Sequence, residues 1–288
     1  MNKLVLSIIP SLLLAACSSP EFSANRQGEL EQTDAQFVQI ERNALVQQIQ
    51  PLFDIDHSRM AEESGEVLDA SRVAFYTSPK LNSQVLHSEI RAGLDLPYRV
   101  QAYYQNGEMN VSYTDVEYLR IRHGMEDSEV LAQMDMEIGK LVADLPNSAP
   151  VAHDGLEKDY GIIELVSEYA FDETVGRLKT AILAEGDTIW FQDIDYQQQA
   201  RDFNIELPRA MLLVFGAPGP GAKAMREYPS IGLDAFGQKV LVYEQNGKVK
   251  VIYNDIPAFA DMHYGDNAIV HKVIKFRLNS TLSSAIES

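Results

Sequence analysis

The chain repeats itself, and the repeat limits what it can fold into. Gly93-Leu94-Asp95 and a closing Tyr113-Thr114-Asp115 return as Gly232-Leu233-Asp234 and Tyr253-Asn254-Asp255, and between these markers each copy has an apolar strand, Gln-Asn-Gly and a second apolar strand. Ile55-Asp56 and Ser78-Pro79 recur 139 residues on as Ile194-Asp195 and Ala217-Pro218. Past a single inserted residue, Asn106, Asp115 and His123 recur 140 residues on as Asn246, Asp255 and His263. A constant offset over about 70 residues is the mark of a tandem duplication, with one supersecondary unit used twice.

The Asn-Gly pairs predict two-residue type I′ hairpins, because both central positions need positive φ. With Asn106-Gly107 at the tip, Tyr104 faces Met109, Ala102 faces Val111 and Val100 faces Tyr113, all on one apolar side. In the second copy Val242 faces Val251 and Val240 faces Tyr253, while Leu241 and Ile252 take the other side, which predicts a hairpin buried on both faces.

At the start, Lys3 precedes an apolar run from Leu4 to Ala16 that is short for a bilayer span and reads as a secretory signal. Leu14-Ala15-Ala16-Cys17 resembles the lipobox of bacterial lipoproteins, in which the cysteine is acylated and becomes the new N-terminus. The other reading is an ordinary signal with an incidental cysteine. Ser18 after the cysteine, where Asp is absent, favours the outer membrane by the same resemblance. Cys17 is the one cysteine, so no intrachain disulfide can form and the fold rests on burial. A formal charge of −18 disfavours nucleic acid and anionic headgroups as partners and leaves lipid on Cys17 as the membrane link.

The pattern divides the chain into a signal peptide (1–16), a lipidated tether (17–34), a first domain (35–145), a linker (146–158) and a second domain (159–288). The apolar spacing of Phe37, Ile40, Ala44, Leu45 and Ile49 predicts a helix, as does the stripe of Leu131, Met134, Ile138, Leu141 and Val142. In the second copy Ile162–Val166 reads as a strand, and Asp172 as the N-cap of a helix carrying Val175, Leu178 and Ile182.

Met211–Pro218, Gly221-Ala222-Lys223-Ala224-Met225, Pro229, Gly232-Leu233-Asp234, Val242-Tyr243-Glu244 and Tyr253-Asn254-Asp255 together resemble domain-of-unknown-function family 302 (DUF302). The second copy covers nearly the full pattern and the first is divergent. The resemblance implies an α+β fold of two similar domains, each a curved antiparallel sheet with two helices packed on it in a TATA-binding-protein-like arrangement. Because members of the family pair as dimers, it also implies an internal pseudo-dimer. Each copy departs somewhere: Ala235-Phe236 replaces Leu96-Pro97 in the second, and the first lacks a counterpart of the Ile162–Tyr169 strand.

Motifs that carry chemistry are few. Gly216-Ala-Pro-Gly-Pro-Gly221 is Gly-rich but lacks the Gly-Lys-Ser/Thr ending, and its prolines remove donors that a phosphate cradle needs, so a structural turn is the better reading. His123 and Met125, with Met134 and Met136, are ligand types that soft copper accepts, although methionines at helical spacing are usually core filler. No cofactor is identified, and no nucleophile stands in a recognisable setting. The site expectation concerns His123 and His263, equivalent residues eight past Asp115 and Asp255. Asp95 and Asp234 enter the same hairpin ends, so one Asp and one His per copy are placed to hydrogen-bond, raise the histidine pKa and rim a small polar ligand or a weak metal. The bland reading is a turn carboxylate bonded to backbone N–H groups and a capping or exposed histidine. The function expected is that of a membrane-anchored cell-envelope lipoprotein facing the periplasm, a non-enzymatic module for an unknown ligand or envelope protein. A metal- or haem-associated protein and an unrecognised enzyme are the alternatives.

Overall fold

A computed structural model of the chain describes residues 20–234 and 238–287, with side chains from Asn25 onward. The expected signal and Cys17 lie outside the described residues.

The first repeat runs α1 (Pro20–Gln47), β1 (Gln50–Asp56), α2 (His57–Glu63), β2 (Ser71–Thr77), α3 (Pro79–Ser88), a 3-10 turn (Ile90–Leu94), β3 (Tyr98–Gln105), β4 (Glu108–Tyr113), α4 (Val116–His123), α5 (Glu129–Leu141) and β5 (Ser148–Pro150). The second runs β6 (Ile162–Ser167), α6 (Phe171–Ala184), β7 (Ile189–Asp195), α7 (Tyr196–Arg201), β8 (Ala210–Gly216), α8 (Pro218–Met225), a second 3-10 turn (Pro229–Leu233), β9 (Gln238–Gln245), β10 (Lys248–Asn254), α9 (Ile256–Tyr264) and α10 (Ile269–Ile286). Two five-stranded sheets result, ordered β1-β2-β3-β4-β5 and β6-β10-β9-β8-β7. Asn106 and Gly107 have φ of 55° and 78°, Asn246 and Gly247 53° and 72°, as a type I′ turn requires. Both hairpins have the register read from the sequence, with Ala102 opposite Val111 and Val242 opposite Val251.

Several expectations are corrected. The stretch expected as a tether through residue 34 is helical from Pro20, and Leu30 and Thr33 are buried. They extend the stripe of Phe37, Ile40 and Ala44 at spacings of three and four, a face one residue wide that composition hides. Arg26 on this helix donates to the Leu68 carbonyl, and Asp34 pairs with Arg59 at 2.7 Å. The expected linker contains β5, which pairs parallel with β4, so the first sheet is not wholly antiparallel. It fills the edge that β6 fills beside β10 in the second sheet. The first repeat thus replaces its missing upstream strand with three residues from beyond its last helix. The helix expected to begin at Asp172 starts at Phe171, with Ala170 as N-cap.

Each sheet has an outer face under its own long helices and an inner face against the other repeat. Val240, Val242, Val251 and Tyr253 pack with Leu178 and Ile182 of α6 and Leu278 and Leu282 of α10. Opposite them on the same strands, Leu241 and Ile252 join Leu212 and Val214 against Ile90 and Leu94 of the first repeat's 3-10 turn. Reciprocally, Val73 and Phe75 of β2 pack with Met225, Ile231 and Leu233 of the second repeat. The helices follow the same exchange, α3 against α7 and α2 against α8.

This exchange explains the glycine of the repeated Gly-Leu-Asp. A Cβ on Gly93 would lie 2.9 Å from Tyr196 Cε2 and 3.2 Å from Leu241 Cδ1, and one on Gly232 would collide with Met225 Cε of its own repeat and lie 2.5 Å from Gln101 Nε2 and 3.0 Å from His57 Cε1. Tyr196 and His57 are equivalent residues of the two copies, as are Leu241 and Gln101. Each glycine therefore admits the other repeat's wall to the backbone, a use of glycine that needs no positive φ.

Candidate functional site

Asp95 closes the first 3-10 turn and Asp234 the second, so the exchange of turns carries both carboxylates to the junction. Arg99 of β3 donates to Asp234 Oδ1 at 2.8 Å and lies 3.4 Å from Asp95 Oδ1. Lys239, its counterpart in β9, lies 3.2 Å from Asp234 Oδ1 and 3.6 Å from Asp95 Oδ1. Arg122 donates through Nη1 to Asp95 Oδ2 at 2.6 Å and reaches into the second repeat, to Tyr160 O at 2.9 Å and Asn254 Oδ1 at 2.8 Å, with its guanidinium 4.9 Å from the Phe259 ring centre. His123 Nε2 hydrogen-bonds Asp95 Oδ2 at 2.8 Å.

Every one of these side chains is closed to solvent. Burial alone would raise the Asp95 carboxyl, but Arg122, His123 and Lys239 hold it well below the usual carboxylate range. Asp234 is likewise lowered against burial, by Arg99 and Lys239. Burial, reinforced by Arg99, pushes the Lys239 amine down to about 8. A sealed network of this kind has no room for a substrate. It ties the repeats together, because Arg99–Asp234, Lys239–Asp95 and Arg122–Asn254 all cross between them. Removing one partner of such a network costs about 3–5 kcal/mol by leaving a buried charge uncompensated.

The expected Asp–His pair therefore forms in one copy only. His263 makes no such bond: its Nε2 is buried without a hydrogen-bond partner among the described residues. Its pKa is lowered rather than raised, because burial outweighs the pull of Asp234. The four residues are not gathered at one rim. Asp95, Asp234 and His123 are interior, and only His263 lines an opening.

That opening is a crevice of about 210 Å³ between the repeats. One wall is the β3–β4 hairpin with Tyr103, Gln105 and Asn110, the edge is the stretch around β5, and the far wall is Ser230, His263 and Tyr264 of the second repeat. Ser230 donates from its backbone N–H (2.9 Å) and from Oγ (2.8 Å) to the Tyr264 hydroxyl. Tyr103 and Gln105 stand beside this pair, Tyr103 near Ser230 and Gln105 near Tyr264. The equivalent place in the other half is filled. Arg91 stands where Ser230 does and bonds Asp159 at 2.9 Å and Glu164 at 3.2 Å, while Lys250, the counterpart of Asn110, bonds Glu164 at 2.8 Å. Gly124 replaces Tyr264, and Lys158 lies over it. The difference follows from the edge strands: six residues of β6 close one side, and three of β5 leave the other open.

Sequence reasoning missed Arg99, Arg122, Lys239, Tyr103, Ser230 and Tyr264. Arg99 and Gln101 alternate with apolar Val100 and Ala102, the pattern of a strand with one wet face, yet that face is covered by the second repeat. The copper ligand set is not assembled. Met134 is buried in the core of the first repeat, Met136 is 57% exposed, and His123 Nε2 is engaged by Asp95. Among the described residues no group of three or more His, Cys, Asp or Glu could hold a metal ion. Gly216–Gly221 enters α8 with Pro218 at its first turn and the Gly221 N–H bonded to the Ala217 carbonyl at 2.8 Å, so it is a helix start. Beneath α8 lies a smaller apolar cavity of about 60 Å³, lined by Phe215, Ala224 and Leu278 among others.

The family described as "Domain of unknown function DUF302" matches residues 31–141 and 163–286. A protein named Fluoride-specific ion channel FluC 1, from Brucella suis biovar 1, is 27% identical over 128 residues, 44% of this chain and 49% of that protein. Fluoride-specific ion channel FluC 2 from Brucella melitensis biotype 1 is also 27% identical over 128 residues, 46% of its length. The chain thus spans about half the length of these curated relatives. Among solved structures, an uncharacterized conserved DUF302 protein from Bacillus stearothermophilus aligns at 18% identity and a TM-score of 0.40, over 44% of this chain and 98% of that one. No helix among the described residues is long and apolar enough to cross a membrane.

Proposed function

The chain belongs to the DUF302 family, with two copies of the unit, and from that premise we propose that it is a non-catalytic ligand-binding module of the cell envelope. Lipid on Cys17 holds it at the membrane, on the outer membrane's periplasmic side, and the ligand enters the crevice between the repeats. The observation that carries this reading is the asymmetry of the duplication, in which one of two equivalent places is sealed by ion pairs and the other is an open crevice with hydroxyl and amide walls. The two repeats act as an internal pseudo-dimer, supported by their reciprocal contacts. Each is a TATA-binding-protein-like arrangement, supported by a sheet with its long helices on one face. Membrane placement is supported by the lipobox-like Leu14-Ala15-Ala16-Cys17.

Asn110 is half-buried at the crevice, and Trp suits a strand, so Asn110→Trp fills the opening while keeping the hairpin. The low-mass fraction of an envelope extract is expected to raise the thermal midpoint of the mature protein and to leave that of Asn110→Trp unchanged. Equal responses from the two proteins would place the ligand elsewhere.

A further inference from the structure

We infer that the crevice takes a small, neutral, polyhydroxylated molecule of about monosaccharide size; this rests on the crevice being the binding site. Its volume of about 210 Å³ lies below the roughly 300–1,000 Å³ of drug-sized ligand sites. None of the described residues lining it carries a charge at neutral pH, because burial keeps His263 in its neutral form. An ionic ligand would lose its water there without gaining a counter-charge. The formal charge of −18 adds to the cost for an anion, and among the described residues no cluster of carboxylates compensates a cation.

What the walls supply is hydrogen bonding of either polarity. Ser230 and Tyr264 are hydrogen-bonded hydroxyls and Tyr103 adds a third nearby, each able to donate or accept as its rotor turns, and Gln105 and Asn110 add amides. Burial pushes the Tyr103 phenol up to about 12 and raises that of Tyr264, so both stay protonated donors. Their rings give apolar faces for the C–H surface of a sugar ring. The sealed counterpart supplies the contrast: Arg91, Lys250 and Glu164 make that place ionic, and the open one has Ser230 and Asn110 in the positions of the two cations.

The test is a titration of the mature, lipidated protein in detergent, followed by calorimetry and by ¹⁵N NMR of the histidine rings. Glucose, N-acetylglucosamine and glycerol serve as neutral probes, with phosphate, fluoride and putrescine as charged ones. A hexose is expected to move the His263 resonances, leave those of His123 in place, and bind at least about tenfold more tightly than any charged probe. Asn110→Trp and His263→Phe are expected to weaken that binding at least about tenfold with an unchanged thermal midpoint. Phosphate, fluoride or putrescine moving His263 while the hexoses do not would overturn the neutral-ligand inference and leave the crevice a binding site. If no probe moves His263 but the envelope fraction does, the inference falls alone; if neither does, the proposed function falls with it.

Discussion

Replacing Gly93 by Ala puts one methyl group where the repeats meet. The new Cβ lies 2.9 Å from Tyr196 Cε2, and the ring has no easy retreat because its one O–H proton is shared between Gly93 O at 2.8 Å and Leu96 O at 2.6 Å. Either the repeats separate locally, an overpacking cost of about 1–3 kcal/mol, or that shared hydrogen bond breaks and leaves buried polar groups unsatisfied, at about 1–3 kcal/mol. Restricting the unfolded chain returns about 0.4–1 kcal/mol, so a net loss of roughly 1–2 kcal/mol is expected in urea unfolding of the mature chain carrying Cys17→Ala. Gly176→Ala is the control. It lies within α6 with nothing near its Cβ, and is expected to stabilise by about 0.5–1 kcal/mol. Adding Tyr196→Phe frees the ring, so the double variant should lose less than the sum of the singles, with a coupling of at least about 0.5 kcal/mol. If Gly93→Ala unfolds within about 0.5 kcal/mol of the parent, the close approach of the repeats at this glycine is wrong.

Four further outcomes follow from the junction and the N-terminus. Asp95→Asn is expected to cost about 3–5 kcal/mol because it leaves Arg122 without its buried counter-charge, whereas Lys239→Met should cost clearly less, the two arginines still balancing the two carboxylates; equal losses in urea would contradict this ranking. In pH titrations of stability, the contributions of Asp95 and Asp234 are present in full above about pH 3.9 and are lost as pH falls through their lowered folded values. Lys239 acts in the opposite region: between about 8 and its ordinary 10.5 the unfolded chain binds a proton that the folded chain does not, so stability rises with pH there, and Lys239→Met should flatten that limb. Residues 159–288 alone expose Leu212, Val214, Leu241 and Ile252, each worth roughly 1.5–3 kcal/mol on burial, and are expected to associate or unfold in sedimentation experiments, a stable monomer being the contrary result. Cys17→Ala is expected to move the protein from the membrane to the released fraction of cells, and its retention without detergent would sink the lipid anchor.

The duplication, both hairpin registers and the helix stripes were legible because each is a local pattern of turn residues and apolar spacing. What the second repeat covers was not. Arg99 and Gln101 look solvated in sequence and are interior, because their face is closed by residues more than 100 positions away. The Asp95–His123 bond could be read from hairpin geometry, but its absence at His263 could not, since Arg122 has Met262 as its counterpart and the divergence is spread over neighbours. Leu30 and Thr33 were hidden by a polar sequence in which only one residue per turn is apolar or small. The crevice arises from the length of β5, a three-residue strand with no sequence signal of its own.

The central claim is that the open crevice, and not its sealed counterpart, receives the ligand. A crystal structure of the mature protein grown with glucose tests it most directly. The account predicts a sugar ring between the β3–β4 hairpin and Tyr264, hydrogen-bonded to the Tyr103–Ser230–Tyr264 hydroxyls, with Arg91, Lys250 and Glu164 undisturbed. A sugar bound against those ion pairs, or in the apolar cavity beneath α8 while the crevice holds only solvent, would contradict it.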